Sequence, residues 1–137
     1  MITQSWDTAI KSSAHHDASA CATFLNQDGK HFLLDMQCIR LDYPQLKRFI
    51  CSHAARYQPE ALLIEDKPSV QSLLQDLRVE QANLPLIAVM PKGDKLMRLP
   101  RVSSMFAAGN VAFPHKSAWL DSFERELQAF PHPKYYY

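Results

Sequence analysis

Three carboxylates stand where this chain could do chemistry. Glu65 and Asp66 close the run Ala61-Leu62-Leu63-Ile64, and Asp7 follows Ser5-Trp6 near the start. A short, continuous apolar run reads as a strand covered on both faces. Glu65 and Asp66 would then sit at a strand's C-terminal end, and Asp7 on or just after the first strand. In sheets flanked by helices, sites gather at such ends, where side chains project from a rigid base. Carboxylates brought together there repel each other unless a hard cation lies between them. Two such cations roughly 4 Å apart can clamp the attacking and leaving oxygens of a phosphodiester. The same residues also allow a purely structural role. Acids are favoured ahead of helix N-termini, so Glu65 or Asp66 could cap a helix starting near Ser69, or pair with Lys67. Pattern alone leaves both readings open.

Other residues invite weaker readings. Lys92, Lys95, Arg98 and Arg101 recur every three residues, opposed only by Asp94. They could meet nucleic-acid phosphate or form a solvated helix face. Lys67 could neutralise phosphate or pair with Asp66. His15-His16-Asp17 is consecutive, and consecutive residues point apart on a strand, so a turn is expected there rather than a shared ion. Trp6 and Trp119 read as packing residues, and His53 as a packed histidine on a helix face. Cys21 has no evident base and reads as a small core residue. Neither a GxSxG serine motif nor a GxxxxGK[ST] phosphate loop is present, so no ATPase site is legible.

The elements that must position these residues follow from periodicity. Two apolar runs in "CATFLNQDGKHFLLDM" meet through Asn26-Gln27-Asp28-Gly29, a hairpin turn. Leu34, Met36 and Cys38 alternate with Asp35 and Gln37, the period of a half-buried strand. Leu46, Phe49, Ile50, His53, Ala54 and Tyr57 then share one helical face. Asp42 and Gln45 have capping-box spacing, Pro44 suits a first turn, and Gln58-Pro59 closes the helix. After "ALLIE", Val70, Leu73, Leu74 and Leu77 predict a second helix. "LPLIAVM" reads as another buried strand. The stretch 93–110 reads as mostly helical, interrupted near Pro100 and stopped at Gly109. "VAFP" reads as a short edge strand. Leu120, Phe123, Leu127 and Phe130 predict a last amphipathic helix, and "PHPKYYY" no clear element. The order β-β-β-α-β-α-β-α-β-α predicts an α/β fold: a mixed central sheet flanked by helices.

Composition narrows the class. A length of 137 residues suits one domain over 1–137 and can bury a core without staples. Apolar residues at 47% and charged residues at 21% are ordinary for a soluble globular chain. No run of about 18 apolar residues suggests a membrane span, and the N-terminus lacks signal-peptide character. The three cysteines, Cys21, Cys38 and Cys51, form no CxxC pair, which argues against zinc and redox motifs and fits a reducing cytoplasm. A net charge of +1 leaves nucleic-acid binding to local clusters.

The ordered motifs "QSWDTA.K", "HDASAC", "LDYPQLKR", "ALLIEDKPS.QSLLQDL", "PKGDK..R", "FAAGNVAFP" and "WLDSFERELQAFP" run over nearly the whole chain. Together they resemble the C-terminal nuclease domain of phage terminase large subunits, the DNA-packaging motors. The resemblance implies an RNase H-like fold and metal-dependent endonuclease activity on double-stranded DNA. It places the first metal-binding acid at Asp7 and the second at Glu65, with Asp66 assisting or beginning the turn. It suggests phosphate contact by Lys92, Lys95 and Arg98, and implies Mg²⁺ or Mn²⁺ as cofactor. The implied partners are double-stranded DNA, the motor domain, the small terminase subunit and the portal. The implied compartment is the cytoplasm of a bacterial host.

Two departures matter. The glycine usual in the family before "QSL" is replaced by Val70. The family's third metal ligand comes from a pair of aspartates, and Tyr136 and Tyr137 stand where that pair is expected. Tyrosine, with a pKa of about 10, is a poor ligand for a hard cation at neutral pH. The chain therefore reads as a truncated prophage gene or a fragment that binds metal weakly. A non-catalytic prophage remnant, binding DNA or a packaging partner, is the alternative. An unrelated RNase H-like resolvase fits the motifs after Glu65 less well.

Overall fold

A computed structural model gives the fold for residues 1–10, 18–90 and 108–129, with side chains described as far as 125. Six strands form one sheet: β1 (Ile2–Asp7), β2 (Ser19–Gln27), β3 (Lys30–Ile39), β4 (Ala61–Glu65), β5 (Leu86–Val89) and β6 (Val111–Ala112). Among the described residues three α-helices accompany them: α1 (Tyr43–Tyr57), α2 (Gln71–Glu80) and α3 (Leu120–Ala129). The strand order is β5-β4-β1-β2-β3-β6. The meander β1-β2-β3 is antiparallel. β4 joins β1 in parallel, β5 joins β4 in parallel, and β6 joins β3 in parallel. The predicted α/β architecture with a mixed sheet is thus observed. No helix among the described residues is long and apolar enough to cross a membrane.

Local chemistry accounts for the hairpin and the first helix. Asp28 and Gly29 both take positive φ, 53° and 75°, the conformation that a tight two-residue hairpin demands. Around α1 the capping box forms as the sequence predicts. Asp42 accepts from the Gln45 amide, and the Gln45 side chain accepts from the Asp42 amide. The far end closes at Gln58, left-handed at φ 48°, whose amide donates to the Ala54 carbonyl.

The core lies between one sheet face and the helices α1 and α2. Trp6, Cys21, Leu62 and Ile64 from the sheet meet Leu46, Ile50 and Ala54 from α1, and Leu73, Leu74 and Leu77 from α2. Val70 is fully buried with φ −109°, a backbone conformation open to a β-branched residue. Three links tie the helices at their surface: the Tyr43 hydroxyl donates to Asp76, and Lys47 reaches Glu80 at 3.0 Å and Asp76 at 3.8 Å.

Two expectations change. In β3 the apolar alternation does not face the main core. Leu33 is buried outside that cluster and Asp35 lies at 3.4 Å from His53, while Leu34 and Cys38 are exposed. The register shifts between Thr23–Asp35 and Phe24–Leu33, which leaves Leu34 as an extra, bulged residue. Met36 and Cys38 instead border a cleft of about 420 Å³ shared with Trp119 and Phe123 on the opposite side. β5 is not a buried strand but a sheet edge, with Ile87 and Val89 exposed among the described residues. A run of apolar residues cannot report how many neighbours a strand has. The helix expected over 93–110 falls almost wholly outside the described residues. Gly109, at φ +73°, sits in the turn before β6.

Candidate functional site

Asp7 and Glu65 are the last residues of β1 and β4. These strands are parallel neighbours, with Trp6 opposite Ile64. Trp6 and Ile64 both point into the core, at 2% and 0% exposure. The next residue on each strand turns to the other face, so the register brings Asp7 and Glu65 to one side of the sheet. β1 and β4 also mark the point where the chain departs in opposite directions, to β2 from one and towards β5 from the other. The C-terminal ends of such a strand pair form the crevice where α/β sheets bind ligands.

The turn after β4 is held by Gln71. Its Nε2 donates to Asp66 Oδ1 at 2.6 Å and to the Lys67 carbonyl at 3.0 Å. The Asp66 amide donates to the Val89 carbonyl, which continues the β4–β5 ladder. Asp66 therefore begins the turn, with one carboxylate oxygen engaged by Gln71. Neither acid caps a helix, because no side-chain cap is formed at Lys67 or at Val70.

Lys67 does not pair with Asp66. Its Nζ lies 3.3 Å from Asp7 Oδ1, and the two side chains are 32% and 57% exposed. The physical cause is alternation. Lys67 has extended backbone, φ −148° and ψ 160°, so it leaves the chain on the same side as Glu65, while Asp66 leaves on the other. The i, i+2 spacing of Glu65 and Lys67 was the available signal. The Gln71 clamp had no signal beyond its place in the first turn of a helix.

Lys92, Lys95, Arg98 and Arg101 lie outside the described residues, as do His15, His16, Asp17, Tyr136 and Tyr137. Among the described residues no group of three or more His, Cys, Asp or Glu is assembled. Two carboxylates suit one hydrated hard cation, since Mg²⁺ is commonly held through one or two carboxylates and several waters. The ammonium on Asp7 marks a spot where positive charge is already favoured. Asp7 and Glu65 are the two carboxylates that these strand ends offer to such an ion.

Beneath the site, the core is aromatic. Trp6 packs edge-on against Phe49 and His53, at centroid distances of 5.9 and 6.2 Å. Burial pushes the His53 imidazole below its usual range and outweighs the attraction of Asp35. Cys21 is fully buried, and burial raises its thiol pKa to about 12, so it serves packing and not nucleophilic chemistry.

The terminase RNase H-like domain family matches residues 4–135 of this chain. No curated protein sequence matches it. Among solved structures, the human cytomegalovirus terminase nuclease domain, manganese-soaked and inhibitor-bound, superposes with a TM-score of 0.60 at 9% identity, covering 93% of this chain and 73% of that one. The fowlpox virus Holliday junction resolvase gives a TM-score of 0.51 at 16% identity, covering 77% and 74%. The RuvC protein of T. thermophilus, in complex with a Holliday junction substrate, also gives 0.51 at 16%, covering 66% of this chain and 64% of its own length. At these identities the likeness is one of fold, shared by nucleases. The chain belongs to the terminase RNase H-like domain family and has the RNase H-like nuclease fold.

Proposed function

We propose that this chain is the nuclease domain of a phage or prophage terminase large subunit, acting as a metal-dependent endonuclease on double-stranded DNA. The observation that carries the reading is the register of β1 on β4, which brings Asp7 and Glu65 to one face at adjoining strand ends. Both carboxylates would hold Mg²⁺ or Mn²⁺, with Asp66 contributing at most from the turn. A divalent ion bound there supplies an acidified water and neutralises charge on the phosphodiester. Asp7 and Glu65 orient that chemistry from two rigid strands, and Lys67 adds positive charge beside them. Lys92, Lys95 and Arg98 would position the duplex through its phosphates, independently of sequence. In packaging, the domain would cut concatemeric DNA when filling starts and when the head is full. Its partners would be the motor domain, the small subunit and the portal, in the host cytoplasm.

The test is nicking of supercoiled plasmid in Mn²⁺. Activity should disappear in both Asp7→Asn and Glu65→Gln while the fold, read by circular dichroism, is retained. Cleavage that persists in both variants would place the site elsewhere.

The tyrosines at 136 and 137 favour a second reading, a non-catalytic remnant that binds DNA or a packaging partner. Only two acids would then hold metal, and binding would be weak. On this reading the 137-residue chain nicks very slowly or not at all. Replacing Tyr136-Tyr137 by Asp-Asp should raise Mn²⁺-dependent cleavage, and Glu65→Ala should remove it again. Efficient cutting by the unaltered chain rejects the remnant.

A further inference from the structure

We propose that Lys67 is a placeholder cation: its ammonium neutralises Asp7 until a divalent ion displaces it. The inference rests on the reading of Asp7 and Glu65 as metal ligands. The ion pair joins residues 60 apart in sequence, across the β1–β4 seam, at 3.3 Å. The backbone of Lys67 is pinned, because its carbonyl accepts both from Gln71 Nε2 and from the Val70 amide, each at 3.0 Å. Only the side chain needs to move. Lysine suits that task, being a compact charge on a flexible stem. Two carboxylates on one face repel each other, and the ammonium relieves this while no metal is bound. A divalent ion needs the same lone pairs of Asp7, so the two cations compete for Oδ1. The displaced ammonium remains tethered two residues from Glu65, beside the ion and available to a phosphate oxygen.

The experiment measures Mn²⁺ affinity without DNA, from the loss of the free-ion electron paramagnetic resonance signal. Lys67→Met should bind Mn²⁺ about two- to fivefold tighter than wild type, the range that an exposed ion pair is worth. Lys67→Arg, which keeps the charge, should not tighten binding. Unchanged or weaker binding in Lys67→Met overturns the proposal, and loss of thermal stability without a change in affinity marks a merely structural ion pair. Asp7→Asn and Glu65→Gln separate the two levels of the argument. If both bind Mn²⁺ as wild type does, the metal site itself is misplaced. If both lose Mn²⁺ while Lys67→Met is unchanged, the site stands and the placeholder role alone fails.

Discussion

Replacing Trp6 by alanine tests the register on which the site depends. Trp6 is 2% exposed and packs against Phe49 and His53. A buried aromatic side chain covers about 150–250 Å², which at about 25 cal/mol per Å² corresponds to roughly 4–6 kcal/mol of transfer free energy. Measured truncations of buried Phe and Trp cost about 3–5 kcal/mol, and that is the expected loss here. For a chain of this length each kcal/mol shifts the melting temperature by about 3–5 °C, so the midpoint should fall by roughly 10–25 °C. Urea unfolding followed by far-ultraviolet circular dichroism would give the free energy directly. Trp119 would be the one tryptophan left, reporting on the opposite side of the sheet. Because such a loss could exhaust a marginal fold, Trp6→Phe is the companion variant, with an expected loss of about 1–2 kcal/mol. A loss below about 1 kcal/mol for Trp6→Ala would refute the reasoning. Side chains alternate along a strand, so a β1 with Trp6 outside would have Asp7 inside, away from the face of Glu65.

Three further outcomes are expected. Since burial lowers the His53 pKa, the unfolded chain takes up a proton before the folded one; stability is fully present above pH 6.5 and falls as pH drops below it. The slope is at most about 1.4 kcal/mol per pH unit for one proton, and urea midpoints at pH 7.5 and 5.5 should differ less in His53→Gln; an equal difference would show that another group is responsible. Thiol labelling of the native protein at pH 8 should modify exposed Cys38 first and spare Cys21 until urea unfolds the chain, and early labelling of Cys21 would contradict its burial. Asp42→Ala should cost about 1 kcal/mol by removing the capping box of α1, read as a shift in urea midpoint, and no shift would mean that the cap is made by solvent.

What the sequence determined by itself was local. The Asp28-Gly29 turn, the capping box at Asp42 and Gln45, the closure at Gln58 and the buried stripes of α1 and α2 each depend on residues within a few positions of one another. They were legible because a helix or a turn closes its own hydrogen bonds. The motif string carried the family and hence the fold, and it singled out Asp7 and Glu65. Tertiary structure decided what depends on pairing between distant segments. It set β5 at an edge, because an apolar run does not count its neighbours. It turned Leu34 and Cys38 away from the main core, because a bulge opposite β2 adds one residue to β3. It gave Lys67 to Asp7 instead of Asp66, because β1 lies beside β4 and strand alternation sends adjacent side chains to opposite faces. The sequence names the carboxylates, but only the parallel register of two strands some 58 residues apart puts them on one face.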